Sequence, residues 1–318
     1  MNKRVLITGA AGFIGYHLAH HLKARGDYVI GIDNFNSYYD PKLKESRASE
    51  LKKVGVELIT GDICDETQLS NLIDKHGITH IAHLAAQAGV RYSLQNPKAY
   101  VKANIEGFLS ILETCRKHPS LKLTYASSSS VYGLNDKTPF AVNDRTDQQA
   151  SFYGNTKKAN ELMAQTYHHL YKIPVTGLRF FTVYGPWGRP DMAYFSFTDA
   201  IMSGKPIDIY NNGKMLRDFT YIDDIIEGTA AAIDLESQCE IFNLGNHQPI
   251  PLLDFIQVLE DALGKKANKR FSPMQQGDVL ATYAEIEESR AKLGFSPKTN
   301  IEVGIPRFVE WYKNYFKA

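Results

Sequence analysis

Residues 4–15 read RVLITGAAGFIG, an apolar run that leads through Gly9, Gly12 and Gly15 into an amphipathic stretch. The run predicts a strand, and the apolar spacing after it predicts a helix. Glycines at this junction leave the main chain without Cβ atoms, so a pyrophosphate can approach the amides at the positive end of the helix. A glycine-rich turn without a ligand has the same spacing. The stretch by itself therefore predicts a strand, a turn and a helix with a candidate dinucleotide site.

Short β-type runs alternate with stretches of helical spacing through residue 180. The predicted strands are residues 4–8, 28–33, 56–60, 80–84, 122–127 and 175–180. The predicted helices between them include residues 14–23, 66–75, 99–116 and 156–171. This order predicts an α/β fold with a doubly wound parallel sheet of the Rossmann type, covered by helices on both faces.

After residue 181 the pattern changes, because prolines and glycines separate shorter elements. Helices are predicted at 222–235, 252–263 and 303–316, and a short strand at 242–245. We expect residues 1–180 with about 221–250 to form the dinucleotide-binding domain. Residues of about 181–220 with 251–318 would form a smaller C-terminal substrate-binding domain.

The composition of the 318 residues, 43% apolar and 22% charged, is that of a globular chain that needs no disulfide or metal to hold its core. Thirty-six Lys and Arg against 35 Asp and Glu leave no basic field for nucleic acid or an anionic membrane surface. Cys64, Cys115 and Cys239 lack metal-ligand spacing, so we expect no metal site and a reducing, cytoplasmic location. No apolar run is long enough for a membrane span.

Two acidic residues follow predicted strands. Asp33 ends the second strand eighteen residues after Gly15, where a carboxylate can accept hydrogen bonds from ribose hydroxyls and would repel a 2′-phosphate. This favours NAD over NADP as the cofactor. Asp62 follows the third strand and could face the adenine amino group. A turn role for Asp33, and a helix N-cap or turn role for Asp62, remain alternatives.

Tyr153 and Lys157 are four residues apart, which places both side chains on one face of a predicted helix. Four hydroxyls, Ser127 to Ser130, come at the carboxyl end of the preceding predicted strand, the edge where doubly wound sheets bind ligands. A tyrosine, with a pKa of about 10, needs positive charge nearby to act as a base. Lys157 and the oxidised nicotinamide ring of NAD would supply that charge. A solvated Tyr and Lys pair is the alternative.

The GxxGxxG turn, the serines before VYG and the YxxxK pair together resemble the extended short-chain dehydrogenase/reductase family over almost the whole chain. The resemblance implies bound NAD, a homodimer, and a catalytic Ser, Tyr and Lys that fall on Ser128, Tyr153 and Lys157. Ser127, Ser129 and Ser130 are chemically equivalent to Ser128 in the sequence. The resemblance also implies that Asn104 orients the cofactor edge of the site, although it fits equally as an ordinary helix residue.

Three further stretches, QAGVRYS from residue 87, LRFFTVYGPWGRPDM from 178 and MLRDFTYIDD from 215, resemble the UDP-glucuronate 4-epimerases of that family. The resemblance implies that Thr182 and Arg189 contact the sugar carboxylate and that Arg217 binds the UDP pyrophosphate. Arg91 would be a second anion contact or a surface charge. A β-branched strand residue and a solvated loop charge are the alternatives for Thr182 and Arg189.

The run from Ser128 to Val131 contains no carboxylate, whereas dehydratases and decarboxylases of the family carry an acid there. Elimination then lacks its acid and base, and epimerisation at the sugar C4 is favoured. Residues 275–278, QQGD, replace the RRGD of UDP-galactose epimerases, so only Arg217 is assigned to the diphosphate. A neutral UDP-hexose (UDP-glucose/UDP-galactose) 4-epimerase and a non-catalytic NAD-sensing protein are the two alternatives.

Overall fold

The computed structural model describes residues 2–235, 238–274 and 280–317. The strands in chain order are β1 (Arg4–Thr8), β2 (Tyr28–Asp33), β3 (Glu57–Thr60), β4 (His80–His83), β5 (Lys122–Ser128), β6 (Val175–Phe180), β7 (Thr182–Tyr184), β8 (Pro206–Ile209), β9 (Leu216–Tyr221), β10 (Cys239–Leu244), β11 (Pro249–Pro251), β12 (Asn268–Phe271) and β13 (Ala281–Thr282). The helices are α1 (Phe13–Ala24), α2 (Pro41–Lys53), α3 (Glu66–His76), α4 (Val90–Gln95), α5 (Pro97–Tyr100), α6 (Gly107–Lys117), α7 (Phe152–Tyr171), α8 (Ala193–Met202), α9 (Ile222–Asp234), α10 (Leu252–Leu263), α11 (Glu287–Leu293) and α12 (Ile301–Phe316).

A seven-stranded parallel sheet forms the centre of the molecule, with the order β10-β6-β5-β4-β1-β2-β3. In β1, Leu6 lies opposite Ile30 of β2 on one side and Ile81 of β4 on the other. The direction of winding reverses between β1 and β4, and this reversal opens a crevice at the carboxyl ends of the two strands. The prediction of a doubly wound parallel sheet is confirmed.

Both faces of this sheet are buried. Successive side chains of a strand point to opposite faces, so Val5 and Ile7 of β1 belong to one apolar cluster and Leu6 to another. The first cluster includes Leu18 of α1, and the second includes Phe108 of α6. Burial on both faces explains why the strands read as continuous apolar runs in the sequence.

The region after residue 181 forms smaller sheets beside the main one. Strand β9 pairs in parallel with β7 and β13 and antiparallel with β11, while β8 pairs with β12. The rings of Phe219 in β9 and Phe255 in α10 stack with 4.1 Å between their centroids. Strand β10 returns to the main sheet beside β6. Among the described helices, none has the length and apolar character needed to cross a bilayer.

Two features differ from the sequence-based expectation. The single helix predicted over residues 99–116 is interrupted, because Val101–Glu106 forms a π-helical stretch between α5 and α6. Helix α2 was not predicted, because the face it buries carries Lys44 and Arg47 beside Leu43 and Leu51. Charged residues on a buried face hide the apolar periodicity by which a helix is recognised.

Candidate functional site

A cavity of about 580 Å³ opens at the carboxyl ends of β1, β2, β4 and β5. Its wall is completed by the start of α7 and by the loop that follows β7. The predicted residues that line it are Gly9, Gly12, Gly15, Asp33, Asp62, Ser128, Tyr153, Lys157, Thr182 and Arg189. The structure thus gathers at the switch point of the sheet residues that are as much as 180 positions apart in the chain.

The glycine turn connects β1 directly to α1. Gly9 has φ +70°, and a Cβ atom there would lie 2.8 Å from the main chain of Ala85. A Cβ on Gly15 would lie 2.2 Å from the carbonyl oxygen of Gly9. Helix α1 begins after Gly12, and no side chain caps its first turn. Its uncapped amide groups border the cavity and fit the pyrophosphate of a dinucleotide.

Asp33 supports this turn from β2. Its Oδ2 accepts a hydrogen bond of 3.1 Å from the amide of Ala11, and its Oδ1 accepts one of 2.9 Å from the amide of Phe35. Each carboxylate oxygen has a second lone pair. The turn role and the ribose-binding role of Asp33 are therefore compatible with one another.

Asp62 lies on the same side of the cavity. Its carboxylate accepts hydrogen bonds of 3.1 Å from Asn34 Nδ2 and 3.0 Å from the amide of Cys64. Burial raises its pKa, but these hydrogen bonds outweigh burial, so the pKa lies below its usual value. The N-cap of α3 is Asp65, so the alternative of Asp62 as a helix cap is wrong.

Tyr153 and Lys157 occupy one face of α7, as predicted, and both line the cavity, where Lys157 is buried and Tyr153 is half-buried. The helix begins after Ser151, whose hydroxyl accepts a hydrogen bond of 3.0 Å from the amide of Gly154. Lys157 Nζ donates to the carbonyl of Ala126 at 2.8 Å. This contact connects α7 to β5 and fixes the ammonium group beside the serine cluster.

The ionisation of the pair is set by burial. Burial raises the pKa of Tyr153, while a hydrogen bond from Ser128 and the charge of Arg189 lower it in part. Burial also lowers the pKa of Lys157 to about 8. Ser128 and Arg189 thus favour the phenolate from within the protein, and the contribution expected of Lys157 stays a prediction.

The structure distinguishes serines that the sequence leaves equivalent. Ser127 Oγ donates to Glu161 Oε1 at 2.7 Å, and Glu161 forms a buried ion pair of 2.8 Å with Arg179. Ser128 Oγ lies 3.2 Å from Ser130 Oγ and also within reach of Tyr153. Ser127 therefore belongs to a structural network, whereas Ser128 adjoins the phenol.

Asn104 is buried behind the cavity wall and does not line the cavity itself. Its Oδ1 accepts from the amide of Gln87 at 2.8 Å, and its Nδ2 donates to the Gln87 carbonyl and to Thr156 Oγ1, each at 3.0 Å. Gln87 lines the cavity, and Thr156 precedes Lys157. Asn104 therefore shapes the wall from behind.

Thr182 in β7 and Arg189 in the loop after it also line the cavity. Thr182 opens β7, and its hydroxyl has no hydrogen bond to another residue of the described chain. Arg189 Nη1 lies 3.5 Å from Asp191 Oδ2, and this carboxylate also accepts from the Tyr38 hydroxyl at 3.2 Å. A hydroxyl and a guanidinium thus face the same space as Tyr153.

Arg91 and Arg217 do not line this cavity. The guanidinium of Arg91 in α4 lies over the ring of Tyr210, 4.8 Å from its centroid. Arg217 in β9 donates from Nη1 to the carbonyls of Leu216 and Leu280, at 2.9 and 3.3 Å. The departure noted at residues 275–278 lies outside the described residues.

Sequence reasoning missed the polar side chains that α2 and the loop before it bring to the site. Lys44 lines the cavity, and its Nζ donates to the Asn36 carbonyl at 3.0 Å. Tyr38 also lines the cavity. One pattern would have revealed α2, since Asp40 caps it through the amide of Lys42 and Pro41 occupies its first position.

Comparison with known proteins places this site in a family. The profile of the NAD dependent epimerase/dehydratase family matches residues 5–245. UDP-glucuronate 4-epimerase 4 of Arabidopsis thaliana is 50% identical over 332 aligned positions, covering 99% of this chain and 76% of that protein.

Two solved structures resemble the whole chain. The UDP-glucuronic acid 4-epimerase of Bacillus cereus, in complex with UDP-glucuronic acid and NAD, superposes with a TM-score of 0.92 at 36% identity over 98% of this chain and 99% of that one. The UDP-glucose 4-epimerase of Thermotoga maritima, with UDP-glucose, gives 0.90 at 28% identity over 99% and 100%. With the glycine turn, Asp33 and the Tyr153 and Lys157 pair in one cavity, these matches show that the chain belongs to the NAD dependent epimerase/dehydratase family.

Proposed function

We propose that this chain is a UDP-sugar 4-epimerase that uses bound NAD and converts UDP-glucuronate to UDP-galacturonate. One observation carries the proposal: Thr182 and Arg189 share the cavity with Tyr153, so a guanidinium and a hydroxyl are available to a carboxylate near the reacting phenol. Arginine suits this task because its planar fork matches a carboxylate. The Arabidopsis and Bacillus relatives, which are named for this activity, support the same substrate.

The cofactor would be held by the glycine turn and Asp33, with Asp62 beside the adenine and Lys157 beside the nicotinamide ribose. Bound NAD supplies the hydride acceptor and donor at C4 together with the positive charge of its oxidised ring. The acidic side chain at position 33 favours NAD over NADP, because it would repel a 2′-phosphate.

Tyr153 is the proposed base, and it takes the proton from the sugar 4-hydroxyl. Ser128 hydrogen-bonds the same oxygen and supports the phenolate. Lys157, fixed by the carbonyl of Ala126, keeps a positive charge beside them below its pKa of about 8. Loss of the 4-hydroxyl proton accompanies loss of hydride from C4 to give the 4-keto sugar. Once the sugar has turned its other face to the site, return of the hydride to C4 would invert that carbon while Tyr153 returns the proton to the 4-oxygen.

The 4-ketone of a glucuronate lies β to the carboxylate, and such acids readily lose carbon dioxide. Thr182 and Arg189, with a serine of the 127–130 cluster, would hold the carboxylate out of the orientation in which its C–C bond overlaps the ketone. The same residues would thus both select the substrate and protect it.

The decisive experiment incubates the purified protein separately with UDP-glucuronate and UDP-glucose and analyses the products by NMR and mass spectrometry. We expect UDP-galacturonate from the first and little or no UDP-galactose from the second. Deuterium placed at C4 of UDP-glucuronate should remain in the product, because hydride never exchanges with water. Preference for UDP-glucose would establish the neutral-hexose alternative, and binding of NAD without turnover of either sugar would establish the sensor.

The assignments of the outlying residues stay proposals. Arg217 and Arg91 would bind the diphosphate from outside the described cavity wall, and Asn104 would support the cofactor edge through Gln87. Binding of UDP to the Arg217→Lys and Arg91→Lys variants tests the first two assignments, and the NAD content of the Asn104→Ala variant tests the third.

We also propose a division into an NAD-binding domain of residues 1–180 with about 221–250 and a sugar-nucleotide-binding domain of about 181–220 with 251–318.

We further propose a homodimer. Leu109 of α6 and Leu162 of α7 are 41% and 52% exposed on neighbouring helices that a second copy can cover. Light scattering of the wild type and of Leu109→Lys tests this, and a wild-type monomer would refute it.

A cytoplasmic location is supported by the three unpaired cysteines, and fractionation of cells that express the protein tests it.

A further inference from the structure

Arg47 of α2 is the most deeply buried cation of the cavity surroundings, with 0% of its surface exposed. Its guanidinium uses every N–H group it has. Nε and Nη2 donate to the Trp187 carbonyl at 3.1 and 2.6 Å, and Nη2 also donates to the Gly188 carbonyl at 3.0 Å. Nη1 donates to the Ala11 carbonyl at 2.9 Å and to the Tyr39 hydroxyl at 2.8 Å.

No carboxylate within the described ranges forms an ion pair with Arg47. A buried charge is costly unless hydrogen bonds replace its hydration, and here main-chain carbonyls provide most of them. Arg47 therefore fixes the main-chain conformation of the segments whose carbonyls it binds. A lysine offers three donors on a single nitrogen and cannot reproduce this planar pattern.

The carbonyls that Arg47 binds belong to two functional segments. Ala11 lies in the glycine turn, whereas Trp187 and Gly188 immediately precede Arg189. Trp187 has φ +60°, a conformation that costs free energy in any residue with a Cβ atom. His17 of α1 donates from Nε2 to the neighbouring Pro186 carbonyl at 2.9 Å. Three consecutive carbonyls, 186–188, are thus fastened to the cofactor-binding half of the molecule.

We propose that Arg47 is a positioning residue that sets substrate specificity by holding the 186–188 main chain so that Arg189 faces the carboxylate of a UDP-uronate. The inference rests on the proposed function, because it assigns Arg189 to that carboxylate. Arg47 itself touches no substrate. Its action is indirect, so it should change binding of the carboxylated sugar nucleotide and leave binding of UDP nearly unchanged.

The test measures binding by calorimetry in a Tyr153→Phe background, in NAD-loaded protein, with UDP-glucuronate and UDP as the two ligands. We expect Arg47→Lys to weaken UDP-glucuronate binding about tenfold or more and UDP binding less than about twofold. Arg25→Lys is the matched control, because Arg25 pairs with Asp27 and Asp234 far from the 186–188 segment. It should change neither affinity.

A double-mutant cycle with Arg189→Met shows whether Arg47 acts through Arg189. On the Arg189→Met background, Arg47→Lys should have no further effect on UDP-glucuronate binding. Additive losses would overturn the proposal, as would equal weakening of both ligands or no weakening of either. If Arg47→Lys does not fold, His17→Phe removes the neighbouring anchor, and it must show a smaller loss that is again confined to UDP-glucuronate.

The readout is independent of the proposed function. Wild-type protein that selects UDP-glucuronate over UDP through Arg47, yet never epimerises it, would refute the function and keep the inference. Epimerisation of UDP-glucuronate by the wild type, together with unchanged selectivity of the Arg47→Lys variant, would keep the proposed function and refute the inference about Arg47. The NAD content of each variant, measured after denaturation, separates an effect at the Ala11 carbonyl from an effect at Arg189.

Discussion

The two sides of the cavity are built differently. The proposed cofactor side comprises the glycine turn, the start of α1 and the end of β2. These parts are near neighbours in sequence or directly paired in the sheet, as are Gly9 in the turn and Asp33 on β2. The proposed sugar side, which comprises Thr182 and the loop after β7, depends on residues distant in the chain, as Arg47 holds Trp187 across 140 positions. The first side is fixed mainly by strand pairing and the glycine turn, with Asp33 and Arg47 bonded to Ala11. The second is fixed mainly by individual side chains, which makes it the easier side to alter without loss of structure.

The largest effect is expected where the two sides meet. Tyr153→Phe removes the proposed base and should lower kcat about 10³-fold, while UDP-glucuronate and NAD remain bound. Steady-state kinetics and calorimetry measure the two properties. Tyr100→Phe is the control, since the Tyr100 ring lies 6.0 Å from that of Tyr153 and its hydroxyl donates to the Ala88 carbonyl. Equal losses in the two variants would contradict the role of Tyr153.

The cofactor side should be intolerant of even one added methyl group. Gly15→Ala would place a Cβ atom 2.2 Å from the Gly9 carbonyl, so we expect a loss of about 3 kcal/mol in the free energy of unfolding together with loss of bound NAD. Urea titration and NAD content measure these changes.

Gly204→Ala provides the contrast for this substitution. Gly204 has φ +69° but nothing within 4 Å of its Cβ position, so Ala there should cost about 1 kcal/mol and leave NAD bound. If Gly15→Ala behaves like Gly204→Ala, the packing of the turn is looser than we describe.

Acid should destabilise the cofactor side through His83 at the end of β4. The imidazole is 3% exposed, its Nδ1 is hydrogen-bonded with Thr8 Oγ1, and burial lowers its pKa to about 3. The unfolded chain takes up this proton near pH 6.5, so stability is lost as the pH falls below that value. At pH 5 the loss should be about 2 kcal/mol relative to pH 7. Chemical unfolding at both pH values measures the loss. The His83→Gln variant should lack this contribution to the pH dependence of the free energy of unfolding.

The sugar side should tolerate substitution but change its products. Thr182→Val keeps the β-branched shape of the residue and removes the hydroxyl that faces the cavity. We expect epimerisation to slow by less than about tenfold, a change of about 1 kcal/mol, and decarboxylated UDP-pentose products to increase. Mass spectrometry of the products measures the ratio. Clean epimerisation at an unchanged rate would show that Thr182 does not restrain the carboxylate.

The contrast also explains what could be predicted from the sequence. The sheet and the cofactor side were predictable, because apolar periodicity and the glycine spacing are local patterns that depend on nothing else in the chain. Helix α2 was not, since Lys44 and Arg47 lie on its buried face and resemble solvated charges in the sequence. The hydrogen bond from Ser127 to Glu161 likewise depends on how α7 packs on β5, and the spacing of residues in the sequence does not reveal that packing.

The main-chain hydrogen bonds of Asp33 limit how the proposed cofactor preference of this protein could be changed. Variants that accept NADP are usually sought by replacing the acidic residue with a small or basic one, which relieves repulsion of the extra phosphate. Here the same carboxylate accepts from the amides of Ala11 and Phe35, so such a replacement would also loosen the loop that has to receive the new cofactor. A successful exchange must therefore supply a second substitution that satisfies those two amides.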